Sequence, residues 1–190
     1  MPTIETTDLD GVVVISTRWF TDDRGSFTES YNEARWREAG IPQHFVQDNH
    51  VHSHKAGTLR GMHYQRRPHA QAKLVRALRG AIWDVVVDLR HGSPSFGQWR
   101  GFELSEQNRR QLLVPAGFAH GYITLTDNAE VMYKVDDVYA PGSEGGMAWN
   151  DSDLAIAWPL PPGGPILAQR DADLPRFADL PIDFTWEPRP

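Results

Sequence analysis

The stretch AKLVRALRGAIWDVVVDL (72–89) decides the fold that the sequence predicts. Its two halves, AKLVRA (72–77) and AIWDVVVDL (81–89), are short runs rich in apolar and β-branched residues, which are typical of strands. Outward from this stretch, similar runs recur, and the 16 Gly and 14 Pro of the chain fall largely between them. The further strand candidates are GVVVI (11–15), HFVQDNHV (44–51), TLRGMHY (58–64), QWRGFEL (98–104), RQLLVP (110–115), GYITLT (121–126) and AEVMYKVDD (129–137). This pattern predicts a mainly antiparallel β-sandwich or barrel.

One peripheral helix is predicted over Tyr31–Ala39. Ser30 followed by Glu33 has the spacing of a capping box, and Gly40 closes the segment. From residue 141 onward the chain is rich in Pro, Gly and Trp and lacks long periodic segments. We expect this part to wrap over the core with one or two short helices.

Length and composition narrow the class of protein. The 190 residues, of which 40% are hydrophobic and 23% charged, fit a single domain spanning 1–190. The absence of cysteine excludes disulfides and thiolate metal sites. Acidic residues near the N-terminus and the lack of a long apolar run predict no signal peptide, no membrane span and a cytoplasmic location. The net charge of −6, with scattered basic residues, argues against nucleic-acid binding.

Two strand candidates carry charged residues that are unusual in a hydrophobic core. In TLRGMHY, Arg60 and His63 have an odd spacing and would point to opposite faces, unless Gly61 hosts a bulge or the end of the strand. Lys73 shares a strand face with Val75. Taken alone, the simplest interpretation of TLRGMHY is an exposed edge strand with ordinary charges.

Three other features also have simple structural interpretations. Asp84, Val86 and Asp88 share a strand face, which alone suggests a solvated outer face. Tyr133 alternates with valines and would by itself be a core tyrosine with a satisfied hydroxyl. His50, His52 and His54 could share a face, but no carboxylate at fixed spacing accompanies them. An exposed histidine-rich edge explains these three better than a metal site.

Taken together, six segments resemble the dTDP-4-dehydrorhamnose 3,5-epimerase family of the cupin superfamily. They are DDRGSFTES (22–30), QDNHVHSHKAGTLRGMHYQ (47–65), AQAKLVRALRGAIWDVVVDLRHGSPSFGQW (70–99), LSEQNRRQLLVPAGFAHGY (104–122), VMYKVDDVYAPGSEGGMAWND (131–151) and ILAQRD (166–171). The resemblance implies a cupin-like jelly-roll β-sandwich with a few short peripheral helices. It also implies epimerisation at C3 and C5 of dTDP-4-dehydro-6-deoxy-D-glucose, without a metal or organic cofactor.

The resemblance also assigns roles to single residues. His63 matches the general base, and Asp171 matches the carboxylate that orients its imidazole. Tyr133 matches the proton donor on the opposite side of the sugar, and Lys73 matches the cation beside the developing enolate oxygen. These roles suit an inversion next to a ketone, which needs one group to remove a proton and a second group to return one to the other face.

Substrate binding is implied for a further set of residues: Arg60 and His120 in the sugar pocket, Gln47, Asn49, Glu144 and Arg170 at the nucleotide end, and Tyr139 stacked on thymine. Arg24, Phe27 and Glu29 match an N-terminal set that reaches the site of the neighbouring subunit, so a homodimer is implied. Two positions depart from the family pattern. Met62 stands where leucine is usual, and Arg170 stands where lysine is common.

Other functions remain open from the sequence. The chain could epimerise only C3 or only C5 of a related nucleotide deoxysugar. It could also be a metal-dependent cupin enzyme that uses His63, His120 and one of His50, His52 or His54, although TLRGMHY lacks the paired histidines of such sites. A sugar-nucleotide-binding module without turnover is a third alternative, but binding alone has no use for a base and an acid together.

Overall fold

The computed structural model describes residues 1–188, and strands dominate it. In chain order the elements are β1 (Thr3–Thr6), β2 (Val13–Ser16), β3 (Phe20–Asp22), β4 (Gly25–Phe27), α1 (Glu33–Glu38), β5 (Gln47–Ser53), β6 (Leu59–Gln65), β7 (Lys73–Arg79), β8 (Ala81–Asp88), β9 (Arg90–His91), β10 (Trp99–Ser105), β11 (Gln111–Val114), β12 (Phe118–Thr124), β13 (Ala129–Val135), β14 (Glu144–Gly146), α2 (Gln169–Ala172) and β15 (Phe184–Thr185). Single 3₁₀ turns lie at Pro141–Ser143 and Phe177–Asp179.

Two antiparallel sheets form the body of the fold. The six-stranded sheet has the order β1-β2-β11-β7-β13-β5, and the five-stranded sheet has the order β10-β8-β12-β6-β14. Neighbours along the sheets are mostly distant in sequence, because the chain crosses repeatedly between the two layers, as it does in a jelly roll. The mainly β jelly-roll sandwich predicted from the sequence is confirmed.

The core between the sheets explains why these runs form strands. Val75 and Val131 from the six-stranded sheet pack with Val86 and Phe118 from the five-stranded sheet, and all four are buried. Burying such a side chain contributes about 1.5–3 kcal/mol relative to leaving it exposed. The alternation seen in the sequence therefore directs one face of each sheet inward.

Both outer faces of the sandwich are partly covered as well. The helix α1 buries Trp36 against the six-stranded sheet beside Ile15 and Leu74. The C-terminal segment packs Met147 and Trp158 on the five-stranded sheet. Within residues 1–188, no helix is long and apolar enough to cross a membrane.

The predicted capping box at the helix start is wrong. The helix begins after Asn32, whose side chain accepts a hydrogen bond from the Arg35 amide at 3.2 Å. The Glu33 carboxylate instead contacts Arg37 and His44, at 2.9 and 3.0 Å. Because Glu33 is engaged outward, it does not return to the chain before the helix, and Asn32 supplies the cap.

The strand boundaries were also partly wrong. The run predicted at 121–126 begins earlier, at Phe118, and the run predicted at 44–51 is shifted to Gln47–Ser53. The short pairs β3–β4 and β9–β15 and the edge strand β14 were not predicted. Strands of two or three residues show too little alternation to be recognised in a sequence.

The acids of β8 are buried, so the solvated face expected for Asp84 and Asp88 is wrong. The Asp88 carboxylate accepts hydrogen bonds from Arg90 and from the hydroxyls of Ser93 and Ser95. Burial by itself would raise the pKa of Asp88, but these donors outweigh it and the pKa is lowered. The sequence could not show these donors, because they come from β9 and the loop after it, and only the folded chain turns them back onto Asp88.

A bulge at Gly61 resolves the odd spacing of Arg60 and His63. On β12, His120 lies opposite His63 and Tyr122 lies opposite Arg60, so two steps on β12 match three on β6. The two β6 residues therefore share the inner face, as a bulge at Gly61 was expected to allow. Gly61 has φ of +134°, and a Cβ there would lie 2.6 Å from the Gly121 Cα.

We expect Gly61→Ala to lower the free energy of unfolding by about 3 kcal/mol, because the new methyl group meets backbone and the positive φ is strained. Urea unfolding measures the effect. Gly142→Ala is the matched control, since a Cβ at Gly142 would meet nothing within 4 Å. Equal unfolding midpoints for the two variants would contradict this account of Gly61.

Candidate active site

A buried carboxylate holds His63 in place. Asp171 lies in α2, and its Oδ1 is 2.8 Å from His63 Nε2, while its Oδ2 accepts a hydrogen bond from the Gly61 amide at 3.2 Å. Because a carboxylate only accepts, the proton of the neutral imidazole lies on Nε2 and Nδ1 carries the free lone pair. The contact therefore fixes both the tautomer and the orientation of the ring.

Opposing effects set the pKa of His63. Burial lowers it, and this effect prevails over the Asp171 carboxylate, which raises it. The positive charges of Lys73 and Arg170 lower it further. His63 is therefore neutral, and able to accept a proton, at neutral pH.

Lys73 lies across the interior from His63. It opens β7 in the six-stranded sheet, and its Nζ donates a hydrogen bond to the His63 carbonyl oxygen at 3.3 Å. Burial lowers the pKa of Lys73 to about 8, although Asp84 and Glu144 oppose the shift. The ammonium group is thus an inward-facing charge that loses its proton only slightly above neutral pH.

Tyr133 is on the same sheet as Lys73 and faces the same interior. It lies in β13, opposite Val75 of β7 and Asn49 of β5. Its ring packs against the core and also lines the cavity around His63. Burial raises the pKa of the Tyr133 hydroxyl, and the charges of Arg60 and Arg170 oppose that shift. The phenol therefore keeps its proton at neutral pH.

The proposed base and acid line the same interior space. Two adjoining cavities, of about 270 and 170 Å³, share His63, Lys73, Tyr133 and Arg170 on their walls. His63 comes from the five-stranded sheet, and Tyr133 comes from the six-stranded sheet. A ring held between the two sheets would meet the imidazole of His63 from one sheet and the phenol of Tyr133 from the other.

The smaller cavity is lined by further polar groups of the five-stranded sheet. His120 Nε2 lies 2.9 Å from both oxygens of the buried Asp84 carboxylate. Arg60 lines the same cavity, and its Nε donates to Ser53 Oγ at 3.3 Å. Tyr122 lies beside them, and its hydroxyl is buried without a hydrogen-bond partner among residues 1–188.

The larger cavity is lined by the residues expected at the nucleotide end. Gln47 Nε2 donates to Asn49 Oδ1 at 2.9 Å, and Gln47 Oε1 accepts from the Tyr139 amide at 3.0 Å. The Arg170 guanidinium lies 4.0 Å from Glu144 and 3.4 Å from Asp171. Tyr139 is half-exposed, which leaves part of its ring open to a ligand.

The N-terminal set lies away from these cavities. Arg24 sits in the turn of the β3–β4 hairpin, with its side chain 90% exposed and paired with Asp22. Phe27 is 67% exposed, and Glu29 pairs with Arg35 at 2.9 Å. Within one chain, none of the three joins the residues around His63.

The histidines at 50, 52 and 54, which lie in β5 and just after it, point away from the site. His50, His52 and His54 are exposed, whereas Gln47 and Asn49 of the same strand line the cavity. His50 contacts Glu130 at 3.1 Å, and the rings of His52 and His54 lie 4.7 Å apart. These histidines cannot join His63 and His120 on the inner face. Over residues 1–188, no group of three or more His, Asp or Glu side chains has a metal-binding arrangement.

Several polar residues in or behind the walls of the cavities were not selected from the sequence as site residues. Gln65 and Gln71 line the larger cavity, and Tyr122 lines the smaller one. Asp84 contacts His120 behind the wall. For Asp84 the strand alternation was a usable signal, because it placed an acid on one strand face with Val86. The two glutamines carry no such signal, because glutamine is common on exposed strands.

Comparison with known proteins points to one family. The family model described as dTDP-4-dehydrorhamnose 3,5-epimerase matches residues 6–179. A protein of that name from Pseudomonas aeruginosa is 52% identical over 169 residues, which cover 88% of this chain and 92% of that protein.

Solved structures agree with the sequence match. The epimerase of Bacillus anthracis, solved with TDP and PPi bound, has a TM-score of 0.89 and 49% identity, and covers 93% of this chain and 99% of its own. The enzyme of Legionella pneumophila, in complex with dTDP-4-keto-L-rhamnose, has a TM-score of 0.94 and 40% identity. That alignment covers 99% of this chain and 100% of the other.

We expect an NMR titration of the imidazole signals to give His63 a pKa below 6.5, because burial outweighs Asp171. Asp171→Asn removes the effect that raises this pKa, so the pKa of His63 should fall further in that variant. His52→Ala, on the outer face, is the control. A pKa that rises in Asp171→Asn would show that the carboxylate does not stabilise the imidazolium.

Proposed function

The chain belongs to the dTDP-4-dehydrorhamnose 3,5-epimerase family, and we propose that His63 and Tyr133 are the base and the acid of its reaction. The enzyme is an isomerase that inverts C3 and C5 of dTDP-4-dehydro-6-deoxy-D-glucose and gives dTDP-4-dehydro-L-rhamnose. The observation that carries the residue roles is that His63 and Tyr133 come from opposite sheets into one cavity.

In the first step His63 takes the proton from the carbon next to the C4 ketone. The electron pair of that C–H bond forms the C–C double bond of an enolate, and the carbonyl electrons move to the C4 oxygen. Tyr133 then gives its proton to the opposite face of the carbon, and the ketone is restored. Each inversion is balanced once His63 releases its proton and Tyr133 regains one.

The remaining side chains lower the cost of the enolate and hold the imidazole. Lys73 would neutralise negative charge on the C4 oxygen. Because this charge develops fully only after deprotonation, Lys73 would stabilise the transition state more than the ground state. Asp171 stabilises the imidazolium that forms on His63. A positioned acid or base is typically worth about 10²–10⁴-fold in rate. No metal or organic cofactor takes part in the proposed reaction.

The nucleotide would bind in the larger cavity. Arg170 supplies charge-assisted donors for the diphosphate, and Tyr139 offers a half-exposed ring on which thymine can stack. Gln47 and Asn49 lie at the same end. In this arrangement the sugar reaches the smaller cavity, beside Arg60 and His120.

We further propose a homodimer in which Arg24, Phe27 and Glu29 of each subunit complete the site of the other. Phe20 and Phe27 are 52% and 67% exposed on the β3–β4 hairpin, and exposed aromatic rings at one location are typical of contact surfaces. The single domain and the cytoplasmic location remain predictions.

Incubation with dTDP-4-dehydro-6-deoxyglucose in deuterated water tests the reaction, and we expect NMR to show exchange at both C3 and C5. Exchange at one carbon would restrict the enzyme to a single inversion, and no exchange at either would refute the function. Activity that survives a chelator is expected. Activity restored only by a metal ion would support the metal-dependent alternative.

We expect His63→Ala to reduce exchange by about 10³-fold or more, because no base remains beside the substrate. Tyr133→Phe should still exchange, but it should return deuterium to the original face, so that labelled substrate accumulates ahead of product. His52→Ala should behave as wild type. An active His63→Ala variant would remove the base assignment.

The pH dependence of kcat/KM should be bell-shaped. The rate rises with pH as His63 loses its proton, at a pKa below 6.5, and falls near pH 8 as Lys73 loses its charge. Lys73→Arg keeps its charge to higher pH, so its falling limb should move upward even if the rate drops. If the falling limb does not move in Lys73→Arg, the loss of rate at high pH is not caused by deprotonation of Lys73.

Mixing two weakened variants tests the shared site. His63→Ala and Arg24→Ala subunits should regain activity on exchange, because one site of the mixed dimer then has an intact His63 and an intact Arg24. Light scattering should report a dimer throughout. No regain of activity in verified mixed dimers would show that Arg24 does not serve the partner's site.

A further inference from the structure

Tyr139, the proposed thymine-stacking residue, lies on a loop that glutamine side chains hold on both sides. Gln65 Nε2 donates to the Val138 carbonyl at 3.2 Å, and Gln65 Oε1 accepts from the Ala140 amide at 2.7 Å. The same Nε2 also donates to the His69 carbonyl at 2.7 Å. One side chain thus binds the residues immediately before and after Tyr139.

The orientation of the Gln65 amide is determined by its partners. Two carbonyl oxygens face Nε2 and one N–H faces Oε1, so the reversed amide would set acceptor against acceptor and donor against donor. Gln65 is 4% exposed, so water cannot readily replace these partners. Unsatisfied backbone groups would be costly there, and the loop is strongly specified.

Gln65 also links the nucleotide end to the base. It lies on β6 two residues after His63, and the two side chains share the inner face that lines the larger cavity. Opposite Gln65 on β14 is Glu144, another residue of the nucleotide end. The strand that carries the base therefore also sets the position of the stacking loop.

We propose that Gln65 is a positioning residue for nucleotide binding, acting through Tyr139 and not through contact with the sugar. This inference rests on the proposed function, in which thymine stacks on Tyr139. A fixed loop presents the ring without an ordering cost on binding, so that more of the stacking energy appears as affinity.

The test measures dTDP binding by calorimetry and turnover with the dTDP-sugar. Gln65→Met, of similar size, should raise the Kd of dTDP and the KM about tenfold, with kcat within about twofold of wild type. Gln65→Glu keeps an acceptor for the Ala140 amide but loses both donors, so it should weaken binding similarly. Gln65→Glu replaces Gln65→Met in this test if Gln65→Met does not fold.

A double-variant cycle separates positioning from general stability. Tyr139→Ala should raise the Kd about tenfold, and adding Gln65→Met should then raise it less than twofold more, because the loop no longer presents a ring. Multiplicative effects would overturn the proposal, as would an unchanged Kd in Gln65→Met.

Asp151→Ala is the matched control. Like Gln65, Asp151 is buried and makes three hydrogen bonds to the backbone, although it accepts all of them, from the amides of Asp153, Leu154 and Phe177 at 2.9, 3.2 and 2.8 Å. It lines neither cavity, so its loss should lower the melting temperature and leave the Kd of dTDP unchanged. If Asp151→Ala raises the Kd equally, the effect of Gln65→Met on dTDP binding is due to a general loss of stability.

The behaviour of the wild-type protein shows whether the proposed function fails or only the proposed role of Gln65. If the wild-type protein does not bind dTDP, the proposed function fails and this inference fails with it. If the wild-type protein binds dTDP and exchanges the sugar protons while Gln65→Met binds dTDP equally well, only the role of Gln65 is refuted.

Discussion

The carboxylate of Asp171 is the interaction on which the site depends. One oxygen contacts His63 and the other accepts from the Gly61 amide, so a single buried group holds both the proposed base and the bulge that turns it inward. Asp171 reaches this position because the C-terminal segment packs on the outer face of the five-stranded sheet. The apolar contacts of that segment thus have a chemical consequence, since they fix the tautomer of a histidine more than a hundred residues earlier.

Burial lowers the pKa of both main ionisable groups, although the proposed reaction needs one of them neutral and the other charged. It lowers the pKa of His63, which must be neutral to act as the proposed base, and it lowers the pKa of Lys73, which must be charged to act as the proposed cation beside the oxyanion. The two requirements are compatible because histidine and lysine start about four pH units apart. The interval between the two lowered values is where both groups are in the useful state.

The division of the proposed site between two sheets is compatible with an inversion of configuration. Inversion requires groups on both faces of one carbon, and a sandwich with side chains from each layer supplies them without long loops. A bulge with a glycine at its closest approach puts Arg60 and His63 on one wall, while ordinary alternation puts Lys73 and Tyr133 on the other. Glutamine side chains then extend the same framework to the stacking loop.

The sequence by itself determined most of the longer strands and a mainly β sandwich or barrel, because alternation and turn residues are local properties of the chain. The jelly-roll class was implied by the family resemblance. The sequence also identified the charged positions at 60, 63 and 73 as unusual, and the resemblance gave them roles. Only the tertiary structure decided that Asp84 and Asp88 are buried, since their partners His120 and Arg90 lie on other elements. It likewise decided the Asn32 cap, and it supplied the geometry of the contact between Asp171 and His63, which the resemblance had implied. Those outcomes depend on which segments meet in space, and a one-dimensional pattern carries no information on the dielectric surroundings or the donors that a side chain will find there.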